Sequence, residues 1–460
     1  MTNIKEKEQN ILERLVILIS GAFIFLLIFN KASFFICLGI VVIALIYAFG
    51  RNYLWLFLVL APISLILGQI IYIPITTGWI YEASLAEIFL GLTAAVFFLD
   101  IYLNNKFTKV EFDQIIIVLL IYLLFSLVAI FYAVDWRLYI FGLKIGVFSF
   151  LAYFLSLNLL QEKKHKIYLI ISLCLTGFIL SLGVMQKFYG MGFSSEFFFS
   201  RNTIIIPFGP LATTAAMLSF LAPIILGFYF SLAPSNKSKP YIFILFIFSF
   251  FGVFISLGKG AIISLLLGLG YLFLKLKKKR PAFILFFLSF VLLGYLFLNP
   301  FLAGIFTRVK TTLVDVNTEF RIKEYKTGWE LFSAHPWFGV GPGQQLLYFK
   351  KMLNMENRAQ VNNFFLQTVL DLGIIGGIIL IMLLGSIYKK FKKIFLDNNK
   401  AIALKLGFTA GLIVAFFNGL VEVTFYALPY AIIFWLVLGI FLEGNKNVIK
   451  NKTVKEAQPL

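Results

Sequence analysis

Charge is scarce in this sequence. Asp, Glu, Lys and Arg supply 13% of the 460 residues, against about a quarter in a soluble globular chain. That leaves too little polar surface to coat a globule of this size, which excludes an ordinary water-soluble fold. Cysteine is nearly absent. Cys37 and Cys174 both lie inside apolar runs, so a disulfide or a thiolate metal site is not expected. The apolar runs lack a period-two alternation, and this excludes a transmembrane barrel, whose strands need about ten alternating residues. There is no internal repeat, no low-complexity stretch beyond the apolar runs, and no small-residue cleavage site after the first run. Nor is there a carboxylate cluster of the kind that holds a metal ion.

What the chain has instead is apolar length. Hydrophobic residues make up 61% and the mean hydropathy is +0.95. Backbone groups in lipid must be satisfied within the segment that carries them, which means helices. The fold class expected is all-α: a polytopic transmembrane helical bundle with about 12 to 14 spans and one large structured external loop. Apolar segments fall at about 15–29, 32–49, 53–73, 83–103, 114–133, 139–160, 167–188, 208–232, 241–257, 261–274, 281–299, 364–387, 401–419 and 424–442.

Lysine and arginine set the orientation. With the N-terminus inside, the inner loops hold Lys106 and Lys109, Lys163 to Lys166, Lys237 and Lys239, the run Lys275 to Arg280, and Lys389 to Lys400. The short outer loops hold only Lys31, Arg137, Lys187, Arg201 and Lys259. Both termini are therefore expected in the cytoplasm, and the net charge of +19 reflects this bias beside an anionic leaflet rather than a nucleic-acid partner. The organisation expected is a membrane region over 1–298 with about eleven spans and an external loop over 299–363. A membrane region over 364–443 with about three spans and a cytoplasmic tail over 444–460 follow. A loop of that length is usually functional.

Four constellations stand on the outer side. In the long loop, Arg321, Tyr325, Trp329 and Phe332 follow helical spacing and share one face. Such a helix can lie at the membrane interface with its aromatic side down. Its arginine then either clamps a phosphate or pairs with headgroups or Glu324. Next comes His335–Pro336–Trp337–Phe338–Gly339–Val340–Gly341–Pro342–Gly343. Its alternate glycines permit a turn whose N–H groups approach a ligand, with Gly341 and Gly343 as the binding candidates; a purely structural turn is the other reading. Third, Asn362 and Asn363 stand at the mouth of a span that carries Gly373 and Gly376 one turn apart, where small residues allow close helix packing. Fourth, Arg201 and Lys259 lie near Arg321 by the span count. The three cations either converge on a diphosphate or snorkel to the interface.

The stretch from Arg321, Tyr325 and Trp329, through HPWFGVGPG, to Asn363–Phe364–Phe365–Leu366–Gln367 and Gly373–Ile374–Ile375–Gly376 resembles the signature of the O-antigen ligase superfamily. That superfamily comprises O-antigen ligases, O-antigen and exopolysaccharide polymerases, and protein O-oligosaccharyltransferases. Ser256–Leu257–Gly258–Lys259–Gly260–Ala261 is similar to a family element in which arginine replaces Lys259, and Arg201 falls where the family has an arginine in the smaller loop. One position departs: where ligases of the family carry a histidine, this chain has Asn362. Asparagine orients a hydroxyl but does not take its proton.

The resemblance implies a cell-envelope enzyme of the bacterial cytoplasmic membrane. It would move a saccharide from a polyprenyl (undecaprenyl) diphosphate carrier to an acceptor hydroxyl outside, without metal or cofactor. Arg321, Glu319 and Glu324 become the catalytic candidates, the last two as bases. Arg201 and Lys259 join Arg321 on the diphosphate, and Asn362 and Asn363 face the acceptor. Expected partners are the lipid-linked oligosaccharide, a glycan, lipid or protein acceptor, membrane lipids and a chain-length regulator. The rival readings are a lipid-linked glycan flippase or transporter, and a non-catalytic subunit of a polysaccharide assembly machine. A transporter calls for mid-depth charges and paired broken helices, which this sequence does not display.

Overall fold

The computed structural model describes residues 42–76, 79–191, 205–206, 209–256, 258–276, 316–353, 361–396 and 402–442. The expected spans near 15–29 and 281–299, Arg201 and the tail lie outside these residues. The molecule is an all-α polytopic bundle. Among the described residues, seven helices are long and apolar enough to cross a membrane.

In chain order, helical backbone over 42–50 is followed by α1 (Leu54–Ser64) and then by a hairpin of β1 (Gln69–Thr76) and β2 (Trp79–Ser84). A single span over 53–73 is therefore corrected. A short 3-10 turn at Leu65–Leu67 ends on Gly68 at φ 70°, a conformation that stops a helix. The following Gln69–Thr76 is rich in isoleucine, whose β-branching suits a strand. Continuous apolarity concealed the change of backbone. Helix α2 (Leu85–Leu103) starts on a capping box: Glu87 Oε1 accepts from the Ser84 backbone at 2.8 Å while the Glu87 backbone donates to Ser84 Oγ at 3.4 Å. The second Glu87 oxygen pairs with Lys144 at 2.6 Å, and Lys144 also donates to the Glu82 carbonyl. The hairpin is thereby pinned to the bundle.

Helices α3 (Gln114–Val128), α4 (Trp136–Leu159), α5 (Lys163–Gly190), α6 (Leu211–Ser231), α7 (Lys239–Ile255) and α8 (Lys259–Lys275) follow close to the expected limits. Asp113 and Asp135 cap α3 and α4 through Ile116 N and Arg137 N, each at 2.8 Å. The long loop contributes α9 (Val316–Ala334) and α10 (Gln345–Leu353), and the chain ends in α11 (Phe364–Leu396), α12 (Ile402–Val421) and α13 (Leu428–Leu442).

The core is centred on α6. Small residues set its contact with α12: a Cβ added to Gly227 would stand 2.5 Å from the Gly407 Cα and 2.9 Å from the Ala403 carbonyl. Lipid supplies no hydrophobic drive between helices, so close backbone approach and dispersion carry this association. The described part of the long loop folds back onto the bundle. Leu331 of α9, Val340, Phe349 of α10, Val361 and Leu370 of α11 form a small buried cluster.

Candidate active site

The glycine-rich turn and α11 explain each other. Gly373 has φ 64° and ψ −151°, which breaks α11 into two helices. A break orphans the carbonyls before it and the N–H groups after it, and the loop satisfies both. Val340 N donates to Leu370 O at 3.0 Å, Gly341 N to Asp371 O at 2.8 Å, and Ile374 N to Pro336 O at 2.8 Å. The contact is so close that a Cβ on Gly373 would lie 2.4 Å from the Trp337 carbonyl. The close approach at Gly373 is thus made by loop backbone, where helix-on-helix packing was expected.

Side chains hold the turn from its other face. Gln344 accepts from Val134 N and Asp135 N at 2.9 and 2.8 Å and donates to Asp135 O at 2.6 Å, locking the loop onto the start of α4. Asp371 is fully buried and accepts from Gln345 Nε2 at 3.2 Å and from the Gly343 backbone. Tyr132 donates to the Phe338 carbonyl at 3.0 Å; burial, and then the Asp371 carboxylate, raise its phenol above the ordinary value and keep it a donor. Gly341 and Gly343 are buried with their N–H groups engaged inside the protein. The geometry favours the structural-turn reading of these two glycines over a ligand cradle.

Beside this turn, four segments meet at one end of the bundle, the end that the lysine count assigns to the outside. Arg321 on α9 donates from Nη1 to the Val421 carbonyl at 2.9 Å and from Nη2 to Glu422 Oε1 at 3.4 Å. Its side chain remains 38% exposed. Asn363 caps α11 by accepting from Leu366 N at 3.0 Å, and its amide reaches the Leu420 carbonyl at 3.2 Å. The carbonyls at the end of α12 are thus taken by Arg321 and Asn363, as orphaned carbonyls require.

Gly260, next to Lys259 at the start of α8, abuts the same place. A Cβ there would meet Val421 Cγ2 at 2.7 Å, Asn418 Oδ1 at 3.2 Å and Glu422 Cγ at 3.8 Å. Lys259 is half-buried. One turn along α9 from Arg321, Glu324 is only 2% exposed, and Asn362 Nδ2 donates to its two oxygens at 3.0 and 2.9 Å.

Arg321, Lys259 with Gly260, Glu324, Asn362 and Asn363 therefore lie in one neighbourhood. Glu319 belongs to α9, but its side chain is outside the described residues, as is Arg201. Two participants were missed. Glu422 sits where α12 ends, and Asn418, one turn earlier, is fully buried with neither side-chain polar atom hydrogen-bonded among the described residues. Their signal was slight: two polar residues among apolar neighbours at the end of a span. The expected α9 face is half right. Tyr325 and Trp329 are exposed at 37% and 66%, whereas Phe332 is partly buried and Arg321 turns toward α12.

Fold and site together define a multi-pass helical membrane protein that gathers a guanidinium, two carboxylates and three asparagine amides at one end of its bundle. Residues 244–381 match the family described as O-antigen ligase. The match covers less than half of the chain, and over that stretch the chain is similar to this family. The matched stretch includes Lys259, Arg321, Glu324, Asn362 and Asn363, and stops before Asn418 and Glu422. No curated protein matches the chain.

Proposed function

We propose that this protein works in a bacterial cytoplasmic membrane, with both termini inside. There it transfers a saccharide from a polyprenyl diphosphate carrier to an acceptor hydroxyl on the outer side, as a surface-polysaccharide polymerase or ligase. The observation that carries this reading is Arg321. One edge of its guanidinium is fixed on the Val421 carbonyl, and more than a third of the side chain stays accessible. A fixed, planar fork of donors suits two phosphate oxygens at once. Cleavage of the sugar–diphosphate bond builds negative charge on the leaving group, and a preorganised cation stabilises that charge more in the transition state than before it. Lys259 is the supporting cation, and Arg201 of the smaller loop is a third. In this reading no metal ion takes part. The acceptor approaches from the side of Asn362 and Asn363.

The test is a pair of substitutions in a strain lacking the native gene, read as glycan chain length and attachment. Arg321→Ala is expected to lower transfer by about a hundred- to a thousand-fold, the usual cost of one well-placed electrostatic donor. Arg321→Lys is expected to fall nearly as far, because an ammonium offers a point charge in place of the fork. Full complementation by Arg321→Ala would refute the reading and favour a transport or structural role.

A further inference from the structure

We propose that Glu422 accepts the proton of the incoming hydroxyl, sharing the Arg321 guanidinium with the donor's diphosphate. The inference rests on the donor site described above and adds the missing half of the reaction. In the transfer, the acceptor oxygen forms a bond to the anomeric carbon. The bond from that carbon to the diphosphate oxygen breaks, and its electron pair leaves with the diphosphate. The hydroxyl proton must pass to a base. The anomeric carbon carries the phosphate oxygen, so when the hydroxyl attacks on the leaving group's own face, its base lies beside the phosphate-binding group.

Among the described carboxylates of this neighbourhood, position singles out Glu422. Its Oε1 lies 3.4 Å from Arg321 Nη2, and its side chain is 26% exposed. Glu324 is buried to 2% with both oxygens taken by Asn362, which closes it to an acceptor. Glu330 lies nine residues beyond Arg321 on α9, roughly 13 Å along the axis, too far to serve.

Glu422 is also held where it is needed. Its backbone N–H closes the last turn of α12 on Asn418 O at 2.8 Å, and the neighbouring Val421 carbonyl fixes the other edge of the arginine. When the diphosphate arrives, two anions face one guanidinium. Uptake of the hydroxyl proton by Glu422 then removes their repulsion at the moment the leaving group gains charge.

Full-length Glu422→Gln, Glu422→Asp and Arg321→Ala are compared by two readouts. One is the rate of glycan formation in the deletion strain, and the other is the affinity of the purified protein in nanodiscs for inorganic diphosphate. Glu422→Gln is expected to slow glycan formation by at least about a hundredfold, with diphosphate affinity kept or tightened. Glu422→Asp, which retains the acid, is expected to fall between Gln and the native residue. Arg321→Ala loses both readouts. Glycan formation within about threefold of native in Glu422→Gln overturns the inference, as does an Asp variant no better than Gln. Loss of diphosphate affinity in Glu422→Gln also overturns it, since Glu422 then only holds the arginine. If Arg321→Ala retains diphosphate affinity, the donor site itself is wrong and this inference falls with it.

Discussion

The side-chain amide of Asn362 donates to both carboxylate oxygens of Glu324, at 3.0 and 2.9 Å. A residue at the mouth of one helix and a residue in the middle of another thus close on each other across 38 positions of sequence. Removing the amide withdraws a donor from a buried carboxylate, at a cost of about 1–3 kcal/mol. Asn362→Ala is therefore expected to lower the thermal midpoint of the purified protein and to reduce transfer roughly ten-fold. Asn362→His keeps a ring N–H for Glu324 and is expected to preserve stability. If Asn362→Ala melts with the native protein, the pair has no structural weight.

Gly373 is expected to tolerate no side chain. Its φ and ψ belong to a region almost confined to glycine, with a strain of about 1–3 kcal/mol for other residues, and the Trp337 carbonyl fills the space a Cβ needs. Gly373→Ala should destabilise the protein by at least that amount and impair transfer. Gly385→Ala in the same helix is the control, because none of the described residues lies within 4 Å of its Cβ position. Thermal unfolding in detergent separates the two, and equal midpoints would contradict the proposed role of the break.

The contact between α6 and α12 is expected to fail on bulk. In Gly407→Val the first added carbon meets Gly227 Cα at 2.7 Å and the Pro223 carbonyl at 2.8 Å. Folded protein in the membrane fraction should fall severely. Gly270→Val in α8, whose Cβ position has none of the described residues within 4 Å, should accumulate normally. Quantitative immunoblots of the two variants check this, and comparable levels would show that the helices part without penalty.

Helix α9 is expected to rest at the membrane interface on Tyr325 and Trp329. Trp329 is 66% exposed and packs at a tilt on Phe332, with ring centres 5.7 Å apart; aromatic side chains of this kind settle at headgroup depth. Brominated lipids should quench a fluorescence component that disappears in Trp329→Phe. An unchanged quenching profile in that variant would place the helix away from lipid.

The membrane class and most of the helices were legible in the sequence because lipid imposes a local rule. Each spanning segment must be apolar and satisfy its own backbone, and each fact shows in a window of about twenty residues. The helical spacing from Arg321 to Trp329 was legible for the same reason. What only the tertiary structure decided were relations between segments. The hairpin after α1 was hidden because a strand and a span are both apolar. The glycines of the turn were legible as a turn, but not as the cover of a broken helix, because the break at Gly373 and the carbonyls it frees lie 30 residues beyond Gly343. Glu422 and Asn418 were barely legible as site residues: Glu422, a polar group at the end of a span, acquires its partner only when α9 lays Arg321 across the end of α12. Periodicity records what a residue's own helix requires of it, and the neighbour that will meet its charge is settled only by packing.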